Sequence, residues 1–249
     1  DQNAWKYNKF HKEIFNEVEQ TRLRTALIRS LSLLEMDLKE VRVLDFGCGT
    51  GNLIKHFKDF GCDITGSDIS ENSLAVVREN FQVKTVLTNG RDLQEFKDNE
   101  FDFISTYSVL HHIPDYEFSL KELARIVKKG GLLFFDHEPS NDFWERPQEY
   151  EKFKKKVERL NLQKYLYPSN YFNKVLSLIN PKHANEGDIH VWPDDHVEWL
   201  KVKEILGEQN ILPVIEENYL LFKSHYKEDI YNNYKNTLKD TTFMVFRKA

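Results

Sequence analysis

The segment Val43-Leu44-Asp45-Phe46-Gly47-Cys48-Gly49-Thr50-Gly51 most constrains what this chain can become. Apolar residues lead into an acid, three glycines alternate, and Leu53, Ile54 and Phe57 then recur at helical spacing. A strand that turns into a helix through glycines leaves its amides bare, so a ligand can approach the main chain closely. The surrounding order is regular. Ile64 leads to a second acid, Asp68, and Leu74 to Val77 begins the next helix. Val83 to Leu87 and Phe101 to Thr106 read as strands, and Phe118 to Val127 as an amphipathic helix burying Leu120, Leu123, Ile126 and Val127. Gly130-Gly131 is expected to stop that helix and launch a strand over Leu132 to Phe135. Such alternation specifies a parallel sheet with helices on both faces and right-handed crossovers.

The flanks follow a different rhythm. Residues 5 to 38 read as helical, with Phe10, Ile14, Phe15 and Val18, then Leu23, Leu27, Ile28, Leu31 and Leu34, at helical spacing. From Pro139 to Pro193, helical pieces rich in Lys, Tyr and Phe are punctuated by Pro147, Pro168 and Pro181. A helix from Asp195 to Glu208, N-capped by Asp194 or Asp195, precedes strands near Ile211 to Glu217 and Thr242 to Arg247. The expectation is one domain, 1–249. Its parts are an N-terminal helical lid (1–40), a ligand-binding core (41–138), a helical cap after the fifth strand (139–193) and a closing helix and strand pair (194–249).

Composition narrows the classes. Among 249 residues, 35 Lys and Arg oppose 40 Asp and Glu, a formal charge of −5 that disfavours a broad nucleic-acid surface. Cys48 and Cys62 are too few for a disulfide framework or a structural zinc site. No apolar run approaches the ~20 residues of a membrane span, and no basic-then-apolar leader opens the chain, so a cytoplasmic protein without membrane insertion is expected. Asn52 stands where a dinucleotide loop, G-x-G-x-x-G, needs its third glycine, and no G-x-x-x-x-G-K-[ST] run exists. An acid at Asp45 suits an ammonium group better than a pyrophosphate.

Together these residues resemble the first motif, [DE]-x-G-x-G-x-G, of the class I S-adenosylmethionine-dependent methyltransferases. The resemblance covers Val41 to about Asp136 and recurs at four further points. Asp68 matches the acid that takes the ribose hydroxyls, with Ile69 against the adenine. Asn89-Gly90-Arg91-Asp92-Leu93 matches the turn whose acid receives the adenine amino group, with Leu93 beside the ring. Phe101-Asp102-Phe103-Ile104, running on to Leu110-His111-His112-Ile113-Pro114-Asp115, is similar to the L-H-H segment of the small-molecule branch. Val127-Lys128-Lys129-Gly130-Gly131 matches L-K-P-G-G with Lys129 in place of proline.

The resemblance implies a Rossmann-like, doubly wound, seven-stranded, mostly parallel sheet with an antiparallel last strand. It also implies S-adenosyl-L-methionine as cofactor, held by Asp45, Gly47, Cys48, Gly49, Gly51, Asp68, Ile69, Asp92, Leu93, Thr106 and Tyr107. The activity implied is methyl transfer to a small-molecule acceptor by in-line displacement, on oxygen or carbon, of sugar or quinone and phenol type. Alternatives are a tRNA methyltransferase, disfavoured because Pro114-Asp115-Tyr116-Glu117 follows the His pair, and a non-catalytic partner of the same fold. A nicotinamide dehydrogenase is disfavoured by Asn52.

A sulfonium methyl is already activated, so alignment is the main lever, and a hydroxyl acceptor adds the need for a base. His111 or His112 with Asp136 is the expected catalytic group, followed by His137 and His190. Asp188, His190 and His196 crowd one loop with His137 elsewhere, yet no pair has helical ligand spacing, so no metal is expected. All four Trp and nine of the eleven Tyr lie outside 41–138. Phe143, Trp144, Tyr150, Tyr165, Tyr167, Tyr171 and Phe172 are expected to wall an acceptor pocket, and Trp5 and Tyr7 to belong to the lid.

Overall fold

The computed structural model describes residues 14–145, 147–157, 190–192 and 195–249. Trp5, Tyr7, Phe10, Tyr165, Tyr167, Tyr171, Phe172, Asp188 and Asp194 lie outside the described residues. In chain order the elements are α1 (Glu17–Leu31), β1 (Arg42–Phe46), α2 (Asn52–Phe60), β2 (Asp63–Asp68), α3 (Glu71–Phe81), β3 (Lys84–Leu87) and β4 (Phe101–Tyr107). After a 3-10 turn at Leu110–His112 come α4 (Tyr116–Ile126), β5 (Val127–Pro139), α5 (Asn141–Glu145) and α6 (Gln148–Val157). The chain closes with β6 (Val191–Trp192), β7 (Asp195–His196), α7 (Trp199–Gly207), β8 (Ile211–Tyr219), α8 (Glu228–Tyr234) and β9 (Thr241–Lys248).

The seven-stranded sheet has the order β3-β2-β1-β4-β5-β9-β8. Strands β3, β2, β1, β4 and β5 pair in parallel, and β9 runs antiparallel between β5 and β8. This is the doubly wound sheet with an antiparallel last strand that the sequence implied. Period-two alternation feeds its two cores. Leu44, Leu133, Phe135 and Phe246 meet Leu120, Leu123, Val202 and Leu206 of α4 and α7 on one face. Val43, Phe103, Phe134 and Val245 meet Leu23, Leu27, Leu53, Phe57 and Val77 of α1, α2 and α3 on the other. Each such fully buried side chain contributes about 1.5–3 kcal/mol. The sheet therefore holds its C-terminal strand ends firmly, at the crevice where strand order reverses between β1 and β4.

Three local expectations need correction. Gly130-Gly131 does not separate α4 from its strand: β5 begins at Val127, directly after the helix. Its pairing with β4 runs Phe101↔Val127, then Phe103↔Leu132. The extra residues bulge out through Gly130 at φ +77°, and a Cβ at Gly131 would lie 2.9 Å from the Asp102 carbonyl. The late helix starts at Trp199, not Asp195, because Asp195–His196 forms a small antiparallel pair with Val191–Trp192. Asp195 is therefore no N-cap: Glu198 holds that position without a side-chain hydrogen bond, and Asp195 binds His190 instead. Finally, Tyr150, expected to wall an acceptor pocket, is instead buried with Phe153 and Val157 of α6 in a satellite core with Leu220, Phe222, Tyr226 and Leu238, around the β8–β9 connection.

Candidate active site

The crevice forms where β1 hands over to α2. Gly47, Gly49 and Gly51 all have positive φ, at +70°, +50° and +95°. At Gly47 glycine is also needed for space, because a Cβ would meet Val109 Cγ2 at 2.6 Å. Around Gly49 nothing lies within 4 Å of such a Cβ, so this side of the loop is open. A pocket opens there, lined by Asp45, Gly47, Cys48, Gly49, Tyr107 and Ser108, with Ile14 and Phe15 entering from before α1.

Two acids frame this loop differently. Asp45 is buried; Ser105 Oγ donates to its Oδ1 at 2.8 Å, while Oδ2 has no partner. Burial pushes its carboxyl up to about 7, against the Ser105 hydrogen bond and helped by the nearby Asp68 charge. A buried, unpartnered carboxylate oxygen beside a bare glycine loop lacks a cationic or donor group, and the ammonium of S-adenosylmethionine supplies one. Asp68 accepts from the Gly49 and Ser70 amides at 2.8 and 2.9 Å. Next to it Ile69 is 69% exposed, an apolar surface placed for a ring. The donor set and the loop thus fit the implied cofactor.

Farther along, Asn89 caps the Arg91 and Asp92 amides and donates to Asp92 Oδ2 at 3.0 Å. The Leu93 amide is spent on Glu122 Oε2 at 3.1 Å, and the Leu93 side chain is buried. Thr106 Oγ1 is buried without a partner, and the Tyr107 hydroxyl donates to Glu19 Oε1 at 3.1 Å. Gly51 borders a second, adjoining pocket with Gln20, Asn52, Lys55 and Phe81.

The expected histidine group is brought together with a different acid. His111 Nδ1 lies 2.7 Å from Glu138 Oε2, and Glu138 Oε1 accepts the Val109 and Leu110 amides at 2.8 Å each. Although burial opposes its charge, His111 and these amides hold the Glu138 carboxyl below the usual range. His112 is exposed, its ring 4.1 Å from that of His111. His190 donates its amide to the His111 carbonyl at 3.0 Å, while its ring binds Asp195 and lies 3.1 Å from the Ile113 carbonyl.

Asp136 faces away from His111, toward α1. Its carboxylate takes Arg22 Nη2 at 2.8 Å, the Tyr219 hydroxyl at 3.0 Å and the His137 amide at 2.7 Å. Arg22 also binds Glu19 at 2.6 Å and lies 3.9 Å over the Tyr219 ring. Burial pushes the Asp136 carboxyl up, and Arg22 is the main counterweight. His137 has φ +63°, its ring stacks on Tyr107 at 4.8 Å, and both ring nitrogens are buried without partners. Burial lowers it to about 4, so it stays neutral. Among the described residues no three His, Cys, Asp or Glu side chains are grouped for a metal ion, and no helix is long and apolar enough to cross a membrane.

Glu138, Glu19 and Arg22 were not found by reading the sequence. Glu138 follows two other ionisable residues with nothing to single it out, and Glu19 and Arg22 have the spacing of an ordinary surface ion pair.

Comparison with known proteins agrees with this geometry. Residues 44–135 match the family model described as a methyltransferase domain. The chain is 32% identical over 136 residues to "Ubiquinone biosynthesis O-methyltransferase" of Thiobacillus denitrificans, covering 53% of this chain and 56% of the relative. It is 38% identical over 103 residues to "Demethylmenaquinone methyltransferase" of Staphylococcus aureus, covering 38% and 42%. The chain thus spans about half the length of these relatives. Among solved structures, an S-adenosylmethionine-dependent methyltransferase from Mesorhizobium loti superposes with a TM-score of 0.59 at 15% identity, covering 90% of this chain and 98% of that one. The PH0226 protein of Pyrococcus horikoshii superposes with a TM-score of 0.55 at 18% identity, covering 95% and 93%.

Proposed function

We propose that this chain, which carries a methyltransferase domain on the class I fold, moves the methyl group of S-adenosyl-L-methionine to a hydroxyl of a small quinone- or phenol-type molecule. The observation that carries this reading is the glycine loop between Asp45, with its unpartnered Oδ2, and Asp68. When bound, the cofactor supplies a methyl group already activated on a sulfonium. Asp45 and the loop would hold its amino-acid end, with Thr106 and Tyr107 alongside. Asp68 would take the ribose hydroxyls, releasing the Gly49 or Ser70 amide, and Ile69 and Asp92 would meet the adenine. The Leu93 amide, occupied by Glu122, contributes only if that bond opens. The methyl group would then point toward the ends of β4 and β5, where His111, His112 and His137 stand.

The quinone or phenol class draws on the names of the two relatives. We assign residues 1–40 as a lid over the crevice, anchored through Arg22, and 139–193 as a cap on the acceptor side. The remaining residues supply the closing strands.

Calorimetry with S-adenosylhomocysteine tests the reading directly. The intact chain should bind with micromolar affinity. Asp68→Ala, losing charge-assisted hydrogen bonds worth about 1.5–3 kcal/mol, should bind roughly 10- to 100-fold more weakly. Absence of binding to the intact chain would overturn the proposal.

A further inference from the structure

We propose that Asn52, the first residue of α2, takes the carboxylate of the cofactor's amino-acid end, with Gln20 positioning its amide. The inference rests on the methyl-transfer reading above. Asn52 lines the pocket at the glycine loop together with Asp45, and also the adjoining pocket together with Lys55. Its Nδ2 is buried without a partner, and so is Asp45 Oδ2. One pocket thus presents an orphaned acceptor on a carboxylate and an orphaned donor on an amide. A cation alone satisfies only the first, and an anion alone only the second. An α-amino acid, with its ammonium and carboxylate on one carbon, satisfies both.

The direction of the Asn52 amide follows from its neighbours. Gln20 Nε2 donates to the Ile14 carbonyl at 3.1 Å, and a carbonyl can only accept. The same NH2 group gives its other hydrogen to Asn52 Oδ1 at 2.9 Å. Gln20 Oε1 then faces His56 Nε2 at 2.9 Å, which must be the ring nitrogen that carries the proton. Burial lowers His56 to about 4, so the ring stays neutral with its lone pair on Nδ1, which has no partner. Each group in this line fixes the next. With Oδ1 taken, Nδ2 is the end of Asn52 left for a ligand. Gln20 makes these bonds from α1, and Ile14, held by the same NH2, lines the pocket too. One side chain therefore joins the segment ahead of α1 to the residue that meets the carboxylate.

Two ligands that differ only in that carboxylate test the assignment. They are S-adenosylhomocysteine and S-adenosyl-3-thiopropylamine, the same thioether with its ammonium but no carboxylate. In calorimetry the intact chain should bind the first roughly 10- to 100-fold more tightly, the range of one charge-assisted hydrogen bond. Asn52→Ala should reduce that preference to about threefold or less, while affinity for the amine stays within about twofold. Asn52→Asp keeps the shape and the bond from Gln20 but sets an oxygen where Nδ2 stood, so it should reverse the preference. Gln20→Leu removes the donor that orients Asn52, and the preference should fall by roughly three- to tenfold with the amine bound as before. A merely structural role for either residue would weaken both ligands alike. That outcome, or a wild type that binds both ligands equally, would overturn the inference, and the wild-type comparison needs no variant to fold. Failure of the wild type to bind either ligand would instead sink the methyl-transfer reading.

Discussion

Arg22→Met tests whether the buried network under α1 is a real charge cluster. The substitution keeps an apolar stem of similar length but removes the cation that sits 2.8 Å from Asp136 and 2.6 Å from Glu19. Asp136 has no exposed side-chain surface and Glu19 only 2%. Asp136, wholly buried, must therefore remain ionised without its partner or take up a proton. Protonation caps the cost: holding neutral a carboxyl of ordinary value ~3.9 costs ~1.4 kcal/mol per pH unit, or about 4 kcal/mol near pH 7. Loss of the guanidinium from the Tyr219 ring adds up to ~1 kcal/mol, while the new methionine contact and the remaining tyrosine donors offset part. A net loss of about 3–5 kcal/mol is expected, the usual range when one partner of a buried pair is removed. At this chain length that corresponds to a melting temperature lower by roughly 6–20 °C.

The sign of the pH dependence is fixed by the same reasoning. In the variant the folded Asp136 carboxyl lies still further above its unfolded value, so the folded state holds a proton that the unfolded chain releases. Its deficit should grow as pH rises toward about 8 and shrink as pH falls toward about 5. Thermal and urea melts of both proteins across that range are the assay. A loss below ~2 °C, or one equal at every pH, would mean that water already compensates these acids, and the network argument would fail.

Two further outcomes follow from the glycine loop and its first acid. Because the Asp45 carboxyl lies at about 7, its charge is lost as pH falls through that value; S-adenosylhomocysteine, bound through its ammonium group, should weaken by up to ~10-fold between about pH 8 and pH 6, and Asp45→Asn should abolish that slope. A flat wild-type profile in calorimetry would contradict it. Gly47→Ala combines a left-handed backbone with a Cβ 2.6 Å from Val109, for about 2–5 kcal/mol, whereas Gly49→Ala meets only the backbone term of about 1–2 kcal/mol. Equal losses in denaturant melts would show that Val109 yields freely.

How far the sequence anticipated the molecule depends on the range of the interactions involved. Strand and helix order was legible because burial on one or both faces writes a local period into Val43, Leu44, Phe103 and Phe135, and the loop from Asp45 to Gly51 carries its chemistry in seven consecutive residues. The acid partner of His111 was not legible, since it depends on a bulge. In β5 two residues, Asp136 and His137, stand against one on β9, where the pairing steps from Asp136↔Phe243 to Glu138↔Thr242. His137 absorbs the extra step at φ +63°, a conformation no alternation rule assigns to histidine. In a regular strand Asp136 and Glu138 would share a face and either could serve His111. With the bulge between them, Asp136 meets Arg22, 114 positions earlier in the chain, and Glu138 meets His111. Arg22 itself reads as an ordinary solvated helix residue until the fold supplies Asp136. The Asp136-His137-Glu138 run is therefore two sites back to back, one securing α1 to the sheet and the other aiming an imidazole, and substitutions at the two acids should fail differently. Loss of Asp136 acts through stability and α1; loss of the Glu138 charge acts through His111 while the sheet stays intact.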